Sequence, residues 1–227
     1  MLSIVIPTYN EKKNIEKLIP QIHRILSKES IKYEIIIVDD NSPDKTAEAA
    51  KKLGKKYPVK VIKRKGKLGL SSAVVAGFKK ALGDFLGVMD ADLSHPVDKL
   101  PEMFKELKTH DMVVGSRYVK GGDIENWPIK RKIISKGATL LAKPVTKMKD
   151  PMSGFFMIKR SVLKIGKLNP RGYKIALEVY VKSNVRIFKE VPIIFKDREE
   201  GTSKLGGNVM VNYLIHLAQL YRFKIRR

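Results

Sequence analysis

Asp84-Phe85-Leu86-Gly87-Val88-Met89-Asp90-Ala91-Asp92-Leu93-Ser94-His95 is the stretch on which the fold turns. Its apolar run, residues 84–89, reads as a strand buried on both faces, and two carboxylates stand where that strand ends. In extended backbone, residues i and i+2 project to the same side, so Asp90 and Asp92 can face one ligand. Two close carboxylates shift each other's pKa unless a cation neutralises them. Hard oxygen donors at this spacing suit Mg2+ or Mn2+, whose shell is completed by phosphate oxygens. Asp-x-Asp is common by itself, and its place at the end of an apolar strand is what gives it weight. His95, just before Pro96, reads either as a further ligand or as a turn residue.

Outward from this stretch, the first half of the chain repeats one pattern. Residues 2–7, 34–39, 59–63 and 112–116 are further β-branched runs bounded by polar or Gly/Pro signals. Amphipathic stretches over 12–28, 47–57, 71–82 and 99–107 alternate with them. Strand alternating with helix predicts an α/β fold, a mostly parallel sheet sandwiched by helices. With no linker and no internal repeat, residues 1–227 are expected to form a single domain. In such sheets ligands bind beyond the carboxyl ends of the strands. Here those ends run into Pro7-Thr8-Tyr9-Asn10-Glu11, Asp39-Asp40-Asn41-Ser42-Pro43-Asp44 and Asp90-Ala91-Asp92. The plainer account is that Asn10, Ser42 and Ser94 start the helices that follow.

The chain has 227 residues, 46 basic against 23 acidic, for a formal charge of +23. With 43% hydrophobic and 30% charged residues it is neither disordered nor fibrous. The lack of cysteine excludes disulfides, zinc thiolates and a cysteine nucleophile. The N-terminus has no basic segment followed by a long apolar one, and no run reaches the roughly 18 apolar residues of a membrane span. The expectation is a soluble or peripheral protein. A strong positive charge calls for nucleic acid, an anionic membrane or a phosphate-bearing substrate. The excess gathers late in the chain: Lys130, Arg131, Lys132, Lys136, Lys143, Lys147 and Lys149 face only Glu125. A nucleic-acid module is disfavoured, because aromatics are only 7% and the strand-end carboxylates would repel phosphate.

Taken together, Pro7-Thr8-Tyr9-Asn10-Glu11, Asp39–Asp44, Asp90–His95, Gly115-Ser116-Arg117-Tyr118 and Arg198…Ser203-Lys204-Leu205-Gly206-Gly207 resemble the dolichyl-phosphate (polyprenyl-phosphate) mannose synthases. These are family-2, GT-A-fold (Rossmann-like) inverting glycosyltransferases, and the resemblance covers essentially the whole chain. It implies a nucleotide-binding half over about 1–117 and an acceptor- and membrane-facing half over about 118–227. Pro7, Tyr9 and Glu11 would line the nucleotide pocket, with Ile37 and Asp39 flanking base and ribose. Asp90, Ala91 and Asp92 would sit at the diphosphate, the aspartates through Mg2+ or Mn2+. Arg117 would face the sugar and acceptor, and Arg198 and Lys204 would close over the donor phosphates. The chain departs from relatives in one place: Ser153-Gly154-Phe155 is followed by Phe156 rather than Arg. The single Trp127 is not in the Arg-Trp pair of processive synthases, which disfavours chain elongation.

The implied reaction moves mannose from GDP-mannose to dolichyl or another polyprenyl phosphate; glucose from UDP-glucose is the alternative. Asp92, Arg117 and Arg131 would carry the chemistry, with Arg117, Arg131 and Ser135 orienting the acceptor phosphate. A phosphate monoester is already ionised near neutral pH, its second pKa being about 6, so no general base is required. Glu178 reads either as a sugar contact or as a structurally partnered helix residue. Ile129, Ile133, Ile134, Gly137, Leu140 and Leu141 recur at helical spacing among basic residues. They suggest a helix lying in a membrane interface or an ordinary helix packed on the sheet. Residues 208–223 form a second amphipathic candidate. The expected location is the cytoplasmic face of a membrane, reached directly or through a separate anchoring subunit.

Overall fold

In the computed structural model, residues 1–125, 127–169, 174–196 and 207–226 are described, 207–209 by backbone only. The strands are β1 (Leu2–Thr8), β2 (Tyr33–Asp39), β3 (Val59–Lys63), β4 (Phe85–Val88), β5 (Met112–Ser116), β6 (Asp123–Ile124), β7 (Phe156–Lys159), β8 (Phe188–Pro192) and β9 (Ile194–Phe195). The helices are α1 (Lys12–Lys28), α2 (Thr46–Leu53), α3 (Leu70–Lys80), α4 (Leu100–Leu107), α5 (Ile129–Ala142), α6 (Ile175–Lys182) and α7 (Gly207–Ile225). Among the described residues, seven strands form one sheet in the order β3-β2-β1-β4-β7-β5-β8, and β6 pairs with β9 apart from it.

The sheet is parallel throughout except at β7, which runs antiparallel to both β4 and β5. The sequence pattern identified β1 to β5 but neither this inserted strand nor the parallel edge strand β8. The run Phe155-Phe156-Met157-Ile158 has no periodicity to set its direction, and only its partners decide it. Pro7 is tolerated near the middle of the sheet because β4 has ended opposite Val5, so no ladder bond is lost on that side.

Both faces of the sheet are covered. Ile4, Ile6, Ile35 and Ile37 pack towards α1, α2 and α4, whereas Val5, Ile36, Val38 and Val114 pack towards α3, α6 and α7. The alternation along each strand sets this division. In α1, Ile15, Leu18, Ile19, Ile22 and Leu26 are wholly buried, each stabilising by about 1.5–3 kcal/mol. That stripe outweighs the roughly 3 kcal/mol cost of Pro20 inside the helix. Gly77 of α3 allows the helix to sit against β1, since a Cβ there would lie 2.4 Å from Val5 Cγ1.

α5 does not pack its apolar stripe on the sheet. Ala142 is its one buried residue, while Ile129, Ile133, Leu140 and Leu141 are exposed. It is held instead by α7: Tyr213 Oη donates to Ala138 O at 2.6 Å, and Tyr221 Oη donates to Leu141 O. Among the described residues, no helix is long and apolar enough to cross a membrane.

α6 is buried along nearly its whole length and carries a buried ion pair. Lys182 Nζ donates to Glu178 Oε1 at 2.6 Å, as does the backbone N–H of Asn169, and His216 Nε2 of α7 lies 3.5 Å from Glu178 Oε2. Glu178 is thus the structurally partnered residue rather than a sugar contact. Burial pushes its carboxyl up, but the bonds from His216, Lys182 and Asn169 hold it below the usual carboxylate range. A depressed carboxyl contributes stability that is present above its unfolded pKa of about 4.3 and lost as pH falls through the folded value. Glu178→Gln leaves Lys182 buried without its counter-charge and should cost about 3 kcal/mol, a fall of roughly 6–12 °C in Tm at neutral pH. Melting curves between pH 3 and 6 should show the variant losing less stability on acidification than the wild type.

Candidate active site

The carboxyl ends of β1, β2 and β4 each turn sharply. Asn10, Asn41 and Leu93 take φ values of 61°, 56° and 61°, the left-handed region that Asn tolerates and Leu adopts only under constraint. The first two turns are tied to each other. Thr8 Oγ1 donates to Asp39 Oδ1 at 3.1 Å, Ser42 Oγ to the same oxygen at 2.5 Å, and Ser42 N to Asp39 Oδ2 at 2.9 Å. The backbone N–H groups of Asn10, Glu11 and Lys12 donate to Ser42 Oγ, Thr46 Oγ1 and Asp44 Oδ2, each at 3.0 Å. The first two donors of α1, at Glu11 and Lys12, are therefore satisfied by Thr46 and Asp44 around the start of α2, not by a capping side chain of their own. Ser42 cross-ties two loops and Ser94 closes its own turn onto Asp92, neither capping a helix.

Asp90 and Asp92 stand where the sequence places them, just beyond β4. Asp92 Oδ1 accepts from Ser94 N at 3.2 Å and Ser94 Oγ at 2.5 Å. Asp90 is nearly one-third exposed, and its backbone N–H donates to His95 Nδ1 at 3.0 Å. The buried His95 ring stacks on Phe155 with centroids 5.1 Å apart, and its Nε2 lies 3.8 Å from Asp90 Oδ2. His95 is the turn residue of the two readings. Gly154 leaves the space around Asp90 open, because a Cβ there would come within 3.3 Å of Asp90 Oδ2. Among the described residues, no group of three or more His, Asp or Glu forms a closed metal site. Two carboxylates on one cleft wall with room beside them fit a cation that takes its remaining ligands from a bound phosphate.

These carboxylates open into a cleft of about 480 Å³. Pro7, Tyr9, Glu11, Asp90, Ala91, Asp92, Arg117, Arg131 and Ser135 all line it, so most of the expected site residues are brought together. Two are not. Ile37 is fully buried in the core beneath α1, and Asp39 is fully buried in the hydrogen bonds to Thr8 and Ser42, so neither reaches the cleft. The wall position belongs to Asp40, whose Oδ2 accepts from the N–H groups of Leu68 and Gly69, both at 2.9 Å, while Arg64 pairs with Oδ1. This clamp shapes the loop after β3 and sets Lys67 Nζ 4.1 Å over the Tyr9 ring. Arg198 and Lys204 lie outside the described residues.

On another wall, Arg117 is buried and held by Asp150: Nε donates to Oδ2 and Nη2 to Oδ1, both at 2.7 Å, and the backbone N donates to Oδ2 at 3.0 Å. Glu190 steadies this carboxylate by accepting from Asp150 N at 2.9 Å. Burial disfavours the guanidinium charge, but the hydrogen bonds and charge of Asp150 raise the Arg117 pKa overall. Trp127, Tyr118 and Phe195 surround the cation at 5.2–5.5 Å, and Arg131 lies 3.8 Å over Trp127. Among the described residues, the buried indole Nε1 of Trp127 has no acceptor, as a wall awaiting a ligand oxygen would. Ser135 Oγ accepts from Tyr118 Oη at 2.8 Å.

Lys174, at the entry of α6, also lines the cleft and was not singled out from the sequence. Burial, with Arg117 and Arg131 adding to it, lowers its pKa to about 8 against the pull of Asp150 and Asp90. Nothing local marks Lys174 among so many lysines. Asp150 did carry a signal, as the first acid after a long basic stretch.

A doubly covered, mostly parallel sheet with a carboxylate pair at its carboxyl edge and a cationic wall opposite places a candidate binding cleft where such folds hold their ligands. Residues 3–166 match the model of Glycosyl transferase family 2, and the chain belongs to that family. The dolichol-phosphate mannosyltransferase of Pyrococcus furiosus is 46% identical over 98% of this chain and 64% of its own length. That of Saccharomyces cerevisiae is 42% identical over 98% of this chain and 87% of its own. The chain therefore spans somewhat under two-thirds of the Pyrococcus relative. Among solved structures, mannosyl-3-phosphoglycerate synthase from Rubrobacter xylanophilus superposes with a TM-score of 0.73 at 18% identity, covering 100% of this chain and 76% of that one. A mannosyltransferase from Pyrobaculum calidifontis, solved in complex with GDP-Man and Mn2+, gives 0.64 at 19% identity, covering 100% and 64%. At such identities the likeness is one of fold.

The Arg117–Asp150 fork makes a prediction of its own. Asp150→Asn removes the counter-charge of a buried guanidinium and should destabilise the protein by about 3 kcal/mol. Arg117→Lys, which cannot form the fork, should also lower Tm measurably. Thermal unfolding of both variants checks this, and a Tm unchanged in Asp150→Asn would show that the pair carries no structural load.

Proposed function

We propose that this chain transfers mannose from GDP-mannose to dolichyl or another polyprenyl phosphate by single displacement, with inversion at the sugar carbon. The observation that carries the reading is one cleft with Asp90 and Asp92 on one wall and the buried Arg117, stacked with Trp127 and Arg131, on another. The names of relatives at 42–46% identity support mannose and a dolichyl phosphate, and the mannosyltransferase solved with GDP-Man and Mn2+ shows the fold accommodating that donor.

On this reading Pro7, Tyr9 and Glu11 hold the nucleotide, with Lys67 beside them. Asp90 and Asp92 hold Mg2+ or Mn2+, which supplies charge neutralisation for the departing diphosphate. Arg198 and Lys204 are assigned to the donor phosphates from the resemblance alone. Arg117 offers its Nη1 donors, which Asp150 does not engage, and Arg131 and Ser135 orient the acceptor phosphate. The acceptor arrives already ionised, and among the described residues no wall group is required to remove a proton from it. The aromatic ring around Arg117 keeps water from competing with the acceptor as nucleophile.

The test is transfer of labelled mannose from GDP-mannose to a short polyprenyl phosphate with Mn2+, run beside UDP-glucose and with chelator. Transfer from GDP-mannose that chelator abolishes is expected, and Asp92→Ala should lower it at least 100-fold with Tm nearly unchanged. Transfer that survives chelation overturns the metal assignment, and no transfer from either donor overturns the reading.

A membrane surface is the proposed setting. Ile129, Ile133, Leu140 and Leu141 of α5 are exposed beside Lys130, Lys136 and Lys143. Apolar side chains rimmed by lysines suit the headgroup boundary of an anionic bilayer, directly or beside an anchoring subunit. The protein should co-sediment with phosphatidylserine-containing liposomes, and Ile133→Glu with Leu140→Glu should release most of it while leaving GDP affinity intact. Equal sedimentation of wild type and double variant would show that α5 is not the docking face.

A further inference from the structure

α6, buried along nearly its whole length, begins directly after a lysine that lines the cleft. Seven of its eight residues are buried, and Lys174 stands at the helix entry with its carbonyl accepting from Glu178 N at 3.4 Å. The backbone at Lys174 is thereby held by the same helix that Glu178 and His216 tie to α7. Its ammonium has three donors, and among the described residues its one hydrogen bond is to Met152 O at 3.4 Å. A partly buried ammonium so weakly satisfied has donors to spare for a ligand that enters the cleft.

The surrounding charges identify that ligand. Arg117 and Arg131 repel Lys174, while Asp150 and Asp90 attract it. Asp150 already accepts three hydrogen bonds from Arg117 and is buried against it. Asp90 faces the wall assigned to the metal. Three cations therefore share one region of the cleft wall with a single carboxylate that is committed to one of them. A multiply charged anion restores the balance, and a phosphate monoester dianion has both the charge and the oxygens to meet three separate donors. Donor diphosphate is the competing occupant, but its charge is offset from the Asp90–Asp92 side.

We propose that Lys174 is a third cation of the acceptor phosphate site, joining Arg117 and Arg131 and setting the preference for a phosphate monoester over a diester. The identity of the acceptor rests on the mannosyl-transfer reading above, whereas the clustering of the three cations does not.

The experiment measures binding by calorimetry and transfer by label on the full chain. The probes are farnesyl phosphate, its methyl diester, and GDP with Mn2+, each titrated into wild type, Lys174→Met and Lys174→Arg. Lys174→Met should weaken farnesyl phosphate by about 10–100-fold, the worth of a hydrogen bond to a charged group, and raise its KM in step. Affinities for the diester and for GDP with Mn2+ should change less than three-fold, and Lys174→Arg should recover part of the loss. Tm of Lys174→Met should hold within a few degrees, since an apolar chain of similar size replaces a partly buried ammonium with one long hydrogen bond. A parallel fall in GDP affinity makes Lys174 a donor contact and overturns the proposal, as does farnesyl phosphate binding that the methionine variant leaves unchanged. If wild type transfers mannose to farnesyl phosphate while the variants match it, only the Lys174 proposal fails. If wild type neither binds nor uses farnesyl phosphate, the transfer reading fails with it.

Discussion

A sheet covered on both faces leaves little room for charge in the middles of its central strands, and the placing of the cleft follows from that exclusion. Leu2, Ile4, Val5 and Ile6 of β1, and Ile35 through Val38 of β2, are all at zero exposure, so every polar group that does chemistry is displaced to where the strands stop. The edge so formed is made rigid from within. Asp39 gives up any contact with the cleft to bind Thr8 and Ser42, and the β2–α2 loop in turn supplies acceptors to the first N–H groups of α1. Three left-handed residues, Asn10, Asn41 and Leu93, complete the reversals. Leu93 is the strained one, and it lies beside the carboxylate pair, where backbone strain held by surrounding contacts tends to collect.

The same low-dielectric interior sorts charge by sign. Asp90 and Asp92 keep to the end of β4, whereas the cleft wall after β5 is cationic. Arg117 could not be buried alone, and Asp150 is the counter-charge that lets it stay, with a bidentate fork no lysine could match. What Asp150 takes from Arg117 in charge it returns as orientation, because its two oxygens fix the guanidinium plane through Nε and Nη2 and do not engage Nη1. Trp127, Tyr118 and Phe195 then raise the strength of any contact made there by excluding water.

Where side chains repeat with a period, the sequence is legible. The stripe of α1 runs through Pro20 without deceiving the reader, and β3 and β5 have the limits their β-branched runs suggest. The carboxylates of Asp90 and Asp92 announce themselves by following an apolar strand. What fails is whatever depends on a partner distant in sequence. β7 is antiparallel because β4 and β5 flank it, and no local pattern records that. Asp39 and Asp40 are neighbours of one residue type, yet alternation sends the first inward to Thr8 and the second to Arg64 and the cleft. Lys174 is one lysine among many until α6 folds beneath it. The family resemblance named residues of which most line one cleft, but it included Ile37, a residue that strand alternation turns into the core.

α5 shows how one helix serves two environments through spacing alone. Arg131, Ile134, Ser135 and Ala138, at i, i+3, i+4 and i+7, make one face and line the cleft. Ile129, Ile133 and Leu140 fall off that face and are exposed. Ile134, which periodicity groups with the outward isoleucines, in fact borders the cleft beside Arg131. The helix is held at its far side by two tyrosine hydroxyls of α7 donating to backbone carbonyls, contacts that fix its position without covering its outer face. On the proposed reading, the phosphate of the acceptor is met by polar groups of α5 while its hydrocarbon lies along apolar side chains of the same helix. A lipid-linked anion needs both surfaces within one molecule's reach, and a helix about 10 Å across presents them on adjacent faces.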